Sequence, residues 1–398
     1  MEKRQRLNRL ILFGGIYFVE GAVLIYFSAF SVLYLRTFDL SFSRIGVIGG
    51  ISLIPFVLKI FIGLLSDKVN LAGWGYRKPY ILIGLVLQAL AIFFIQFVSP
   101  VSQFPLFLVL MLLTALGMST YDTCSDGLSI DTTPPEDRGL VQGIMVGGRA
   151  LSSIIFAAVF GLLSARGNWS MVFTLIAVLA LVVLFIALPV KEGKRHIAEG
   201  AYQKDAFKAF KDWGFILFLV LGILYPLALY SANSMIGPFL NEVLGVSLDS
   251  VGVYLSVFGI GAVLGAVVGG PLMKRIGRRN SILAALLLTT IVTAAMALVP
   301  SAGLAWVVVF VFGVAFGYYE TVYMAMGMDF SDPRIAAFMF SIIMAVGNIG
   351  IGLGQPLAGV LVDGMGFKAM FLILAVVHVL SLPLVFGIFK VRKEGIPQ

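Results

Sequence analysis

Asp122 and Asp126 stand four residues apart in the stretch TYDTCSDGLSID (120–131), which ends a run that is otherwise apolar, FPLFLVLMLLTALGMS (104–119). Four residues is about one helical turn, so a helix puts both carboxylates on one face, whereas Asp131 lies half a turn around from Asp122. Asp131 is followed by TTPPEDRG, a loop signal. At ~1.5 Å per residue, Asp122 lies ~13.5 Å and Asp126 ~7.5 Å further along the helix than Asp131. If the apolar run crosses a hydrocarbon core of ~30 Å, Asp122 is near its midplane and Asp131 near its edge. A charge held at that depth costs ~2.5–3.5 kcal/mol on insertion scales, so each such residue is expected to face the protein interior and to carry a function.

The ionisable residues inside apolar runs are Glu20, Lys59, Asp122, Asp126, Arg149, Glu320 and His378. Carboxylates close together in a low-dielectric site can take and release a proton near neutral pH, or offer oxygen ligands to sodium. Asp122, Asp126, Glu20 and Glu320 are therefore candidates for ion coupling. Permanent pairing of Asp122 with a buried base, and direct contact with a substrate, remain open alternatives. Glu20 and Arg149 are candidates for a buried pair, or for a proton-sensitive carboxylate beside a guanidinium that binds an anion. In YPLALYSANSMIGP (225–238), Pro226 weakens a helix that also carries Tyr225, Tyr230 and Asn233. These three, with Arg149 and Asn348, are the expected lining of a substrate cavity. Lys59 shares a helix stripe with Gly63 and Asp67 and is expected to pair near Asp67. His378 reads as a hydrogen-bonded interior residue and Cys124 as inert.

The elements that must position these groups are membrane helices. Of the 398 residues, 60 % are apolar and only 12 % charged, and the mean hydropathy is +1.03. A soluble domain of this length keeps roughly a quarter of its residues charged. Apolar runs broken by Gly, Pro and charge clusters predict twelve spans: 9–35, 44–66, 79–98, 104–128, 140–163, 170–190, 213–240, 250–272, 280–299, 303–327, 335–361 and 368–389. Alternate loops carry 22 and four Lys and Arg residues, which predicts a plasma-membrane protein with both termini in the cytoplasm. The basic start MEKRQRLNR leads into a first span that reads as retained rather than cleaved. The formal charge of +8 is spread over short loops, which argues for membrane orientation and against nucleic acid. The single cysteine excludes an internal disulfide and a cysteine-cluster metal site.

The polar stretch 191–212 divides an N-terminal six-helix bundle, 1–190, from a C-terminal one, 213–398, and includes a candidate amphipathic surface helix. The halves are copies. YDT at 121–123 matches YET at 319–321, an offset of 198 that also pairs Asp131 with Asp329. Earlier in the halves the offset is 206, which pairs Gly46 with Gly252 and Gly63 with Gly269. Asp122 and Glu320 thus become repeat mates at matching depth on opposite walls of a central cavity, a known transporter architecture. Asp126 has no mate, because Met324 stands there, and Arg149 falls opposite Asn348.

The loop GLLSDKVNLAGWGYRKPY (63–80) and its counterpart GPLMKRIGRR (270–279) resemble the loop signature of the major facilitator superfamily: a glycine, an acidic residue and paired bases at set spacing. The second copy has Lys274 or Met273 where the acidic residue is usual, and the first inserts about six residues. That insertion, with DTCSDGLSIDTTPPEDRG, resembles the branch containing muropeptide permeases, acetyl-coenzyme A transporters and folate–biopterin carriers. Independently of the family, Asp67 can sit at the N-terminus of a facing helix. Arg77 and Lys78, and Arg278 and Arg279, can pair with Asp131 and Asp329. These seven residues are the expected gate.

The expected fold is an all-α integral membrane protein with twelve transmembrane helices in two pseudo-symmetric six-helix bundles. The expected function is secondary transport of a small organic solute by alternating access, coupled to protons, with a sodium-coupled symporter or a non-transporting assembly protein as alternatives. No GxxxxGK[ST], HExxH or GxSxG motif is present and there are only two histidines, so neither ATP drive nor an enzyme is expected. A monomer without a cofactor, its partners a small-molecule substrate and the lipid bilayer, completes the expectation.

Overall fold

The computed structural model describes residues 2–134, 137–192, 210–331 and 336–394. Residues 193–209, and with them most of the predicted linker and its surface helix, lie outside the described residues. Every predicted span has its helix. Spans 1 to 7 are Gln5–Arg36, Phe42–Lys68, Lys78–Ile95, Phe104–Thr132, Arg138–Ala165, Trp169–Ala187 and Trp213–Val243. Span 10 is Ala302–Phe330.

The other four spans form two long helical runs, Leu248–Ala297 and Met339–Lys390, each broken by one glycine. Gly277 (φ 78°) and Gly366 (φ 81°) adopt the left-handed backbone that L-residues avoid, and each turns the chain between two spans. Spans 8 and 9 are therefore 248–276 and 278–297, and spans 11 and 12 are 339–365 and 367–390. Prolines open spans 3 and 4 near their first turns, where the missing N–H has no helical partner to lose. The Asp212 side chain caps span 7 by accepting from the amides of Gly214 and Phe215 (3.2 and 3.1 Å).

The chain divides into two units. The first holds residues 1–40, 51–197 and 247–253, and the second holds 41–50, 198–246 and 254–398. In the first unit span 1 packs on span 5, span 3 on spans 4 and 6, and span 2 on span 4. In the second, span 7 packs on spans 11 and 12. With no water to drive apolar groups together inside a bilayer, such packing depends on small residues that let backbones approach. A Cβ on Gly63 would meet the Thr123 side chain at 3.4 Å, and one on Gly269 would meet Thr321 at 3.0 Å. The repeat offsets of 206 and 198 thus converge on one interhelical contact, made once in each unit.

Candidate functional site

Six side chains from four spans meet inside the first unit. Span 1 supplies Tyr17 and Glu20, which are three residues apart and so share a face. Span 2 supplies Lys59, span 4 supplies Asp122 and Asp126, and span 5 supplies Arg149. Lys59 Nζ donates to Asp122 Oδ2 at 3.3 Å. Arg149 Nη1 donates to Glu20 Oε1 at 3.2 Å, and Tyr17 Oη donates to Asp126 Oδ1 at 2.5 Å. The Arg149 guanidinium also lies 5.4 Å from the Tyr17 ring centroid, within cation–π range.

Close backbone contact fixes the Glu20–Arg149 register. A Cβ on Gly21 would fall 2.3 Å from the Arg149 carbonyl oxygen, and Ser153 Oγ donates to the Gly21 carbonyl at 3.0 Å. The pair itself is lopsided. The Glu20 side chain is 5 % exposed and that of Arg149 is 39 % exposed. Glu20 Oε2 is buried with no hydrogen-bond partner among the described residues.

Formal charge does not balance in this cluster. Glu20, Asp122 and Asp126 face two bases, Lys59 and Arg149, so full ionisation leaves one excess negative charge. Asp126 is the carboxylate whose hydrogen bond here comes from a neutral phenol instead of a base. A proton or a small cation would restore neutrality. Among the described residues no His, Cys, Asp and Glu group is arranged to hold a metal ion.

The second unit builds a different site around Glu320 on span 10. Tyr225 and Tyr230, both on span 7, donate their hydroxyls to Glu320 Oε1 at 2.7 and 3.1 Å. The Tyr225 ring packs against Tyr319 and Tyr323 (4.4 and 4.5 Å between centroids), and Tyr230 packs against Phe316 (4.9 Å). Asn233 is buried on span 7, its Oδ1 without a hydrogen-bond partner among the described residues, and Asn348 is half-buried on span 11. His378 is buried, and among the described residues neither ring nitrogen has a hydrogen-bond partner, unlike the bonded interior histidine expected from sequence.

At the loop ends, Arg77 is the hub of the first unit. It donates to Asp67, to Asp131 (3.2 Å) and to Ser66 Oγ (2.6 Å). In the second unit Arg278 grips Asp329 with two nitrogens, one bond being 2.7 Å. Lys78 and Arg279 do not join these pairs. Lys78 donates to the Leu188 carbonyl at 2.5 Å, and Arg279 lies 5.5 Å from the Phe386 ring centroid.

Asp67 holds the Arg77 side chain, and Glu192 occupies the helix N-terminus. Its carboxylate accepts from the amides of Tyr76 (2.9 Å), Arg77 (3.0 Å) and Lys78 (3.2 Å) at the start of span 3. Lys59 pairs with Asp122 on span 4, not near Asp67, which lies eight residues, about two turns, further along span 2. Sequence reasoning left Lys59 and Tyr17 out of the site. The available signals were the Tyr17–Glu20 spacing and the isolated charge of Lys59.

The model of the major facilitator superfamily matches residues 12–331 and 218–398. The chain belongs to the major facilitator superfamily. Among its relatives is the anhydromuropeptide permease of Escherichia coli strain K12, 26 % identical over 350 residues, covering 82 % of this chain and 69 % of that one. A putative transporter, AmpG 4 of Rickettsia conorii, is 26 % identical over 240 residues, covering 56 % of this chain and only 58 % of the relative. These relatives fall in the branch that the 63–80 loop resembles. A bacterial homologue of the human lysosomal transporter Spinster shares the fold, with a TM-score of 0.78 over 98 % of this chain and 97 % of that one at 18 % identity. The superfamily's twelve-span fold and its transport role therefore describe this multi-pass membrane protein.

Proposed function

We propose that this chain moves a small organic solute across the plasma membrane by alternating access and that protons drive it. The observation that carries the reading is the cluster of three carboxylates and two bases at mid-membrane. An excess negative charge there is costly, and taking up one proton removes it. Asp126 and Glu20 are the candidate carriers, Asp122 being held by Lys59. Arg77 with Asp67 and Asp131, and Arg278 with Asp329, act as latches at the loop ends, which both termini share in the cytoplasm. One relative is an anhydromuropeptide permease, so a muropeptide is the first cargo to try.

Reconstitution into proteoliposomes tests this. Labelled solute should accumulate under an imposed inward proton gradient and not under a sodium gradient alone. Asp126→Asn should abolish accumulation while leaving solute exchange across the membrane intact. Accumulation by Asp126→Asn and Glu20→Gln at the unmodified rate would sink the proton assignment.

A further inference from the structure

The Glu20–Arg149 contact is built more weakly than a committed ion pair. An arginine and a carboxylate that hold each other firmly do so through two parallel N–H···O bonds. Here a single bond of 3.2 Å joins them. Among the described residues it is the only hydrogen bond that the Arg149 side chain makes, so the rest of its five N–H donors stay available. The Arg149 side chain is 39 % exposed, and its guanidinium is steadied by the Tyr17 ring, 5.4 Å from the ring centroid. Glu20 has the opposite character. It is buried, one oxygen rests on Arg149, and the other has no hydrogen-bond partner among the described residues.

We infer that Arg149 is the binding group for a carboxylate or phosphate on the transported solute, and that the solute's anion displaces Glu20 from it. An incoming anion can use both arms of the guanidinium, exchanging one long bond for two shorter charge-assisted ones. Glu20 then loses the base it rests on. A buried carboxylate without a partner sheds its charge by taking a proton. The proton comes from water and ends on Glu20, and the solute's anion keeps its charge against Arg149. Anion and proton are therefore bound together.

The other groups around Glu20 reinforce the exchange. Asp122 and Asp126 on span 4 are negative and disfavour a second bare carboxylate. Tyr121 on the same span is a neutral phenol, and Lys59 on span 2 is already bonded to Asp122. On span 1 itself Tyr17 is committed to Asp126. None of these replaces Arg149 as a partner for Glu20.

This inference rests on the proton-coupled reading above, and the test separates the two. Dicyclohexylcarbodiimide modifies buried carboxyl groups only when they are protonated. The purified full-length protein would be labelled near neutral pH and the adducts at Glu20, Asp122 and Asp126 quantified by mass spectrometry. Labelling would be repeated with inorganic phosphate, with benzoate and with chloride at equal ionic strength.

Phosphate or benzoate should raise the Glu20 adduct several-fold over chloride. Arg149→Gln should show that higher Glu20 labelling without any anion and no further response. Arg149→Lys, which keeps the charge but not the fork, should respond weakly and serves as a check that the fold survives. If Asp126 or Glu20 labels but neither anion changes the Glu20 adduct, the displacement is overturned and proton binding stands. An anion response that persists in Arg149→Gln overturns it equally. If none of the three carboxylates labels near neutral pH, the proton-coupled reading itself fails.

Discussion

Asp122 and Glu320 occupy equivalent places in the two repeats, yet the groups that hold them differ in kind. Asp122 meets the ammonium of Lys59, while Glu320 meets two tyrosine hydroxyls. The backbone explains the difference. At the offset of 206, Lys59 corresponds to Gly265 on span 8, where a Cβ would lie 2.0 Å from the Val314 carbonyl oxygen. Span 8 is pressed so closely against span 10 that no base fits there. The repeat preserved its frame, including the Gly63–Thr123 and Gly269–Thr321 contacts, and let the chemistry diverge. The first unit collected charge, whereas the second collected aromatic rings.

Substitutions can break that contrast. Lys59→Met strips Asp122 of its base and leaves a buried charge uncompensated, at a cost of about 3–5 kcal/mol. Unfolding of the detergent-solubilised protein should show it, and adding Asp122→Asn should recover most of the loss. Arg77→Ala comes next, because a mostly buried guanidinium with three acceptors disappears. About 3 kcal/mol is expected, read in the same assay. Tyr225→Phe removes one neutral donor to Glu320 while Tyr230 remains, and should cost about 1 kcal/mol. Arg278→Ala is expected to be the mildest. Its side chain is 51 % exposed, so loss of the Asp329 pair should cost no more than ~1 kcal/mol despite the two-pronged geometry. A loss for Arg278→Ala equal to that for Arg77→Ala would mean that the two loop ends are not the unequal pair their burial implies.

Most of the fold could be read from the residues. Twelve apolar runs and the charge bias of the loops are patterns that a bilayer imposes on any chain that crosses it, and the two repeat offsets are written directly in the residues that match between the halves. The site was legible in its members more than in its pairings. Glu20–Arg149 and Arg77–Asp131 followed from depth along their helices. Lys59–Asp122 did not, because which of two nearby carboxylates a flexible lysine reaches depends on helix rotation. The role of Glu192 was hidden for another reason. It stands at the edge of a polar stretch whose charges look interchangeable, and only three converging amides distinguish it from its neighbours.

Glu192 also bears on where the chain can be divided. The sixth span ends a few residues before it, and hydropathy alone would draw the boundary of the first half there. Yet its carboxylate ties the end of the sixth span to the beginning of the third, beside Gly75, whose φ of 132° suits only a residue without a side chain. The first half therefore carries its own closing clasp, two residues past the hydrophobic limit. A protein split after residue 190 would leave the clasp on the wrong fragment, while a split after residue 192 would keep it with the span it closes.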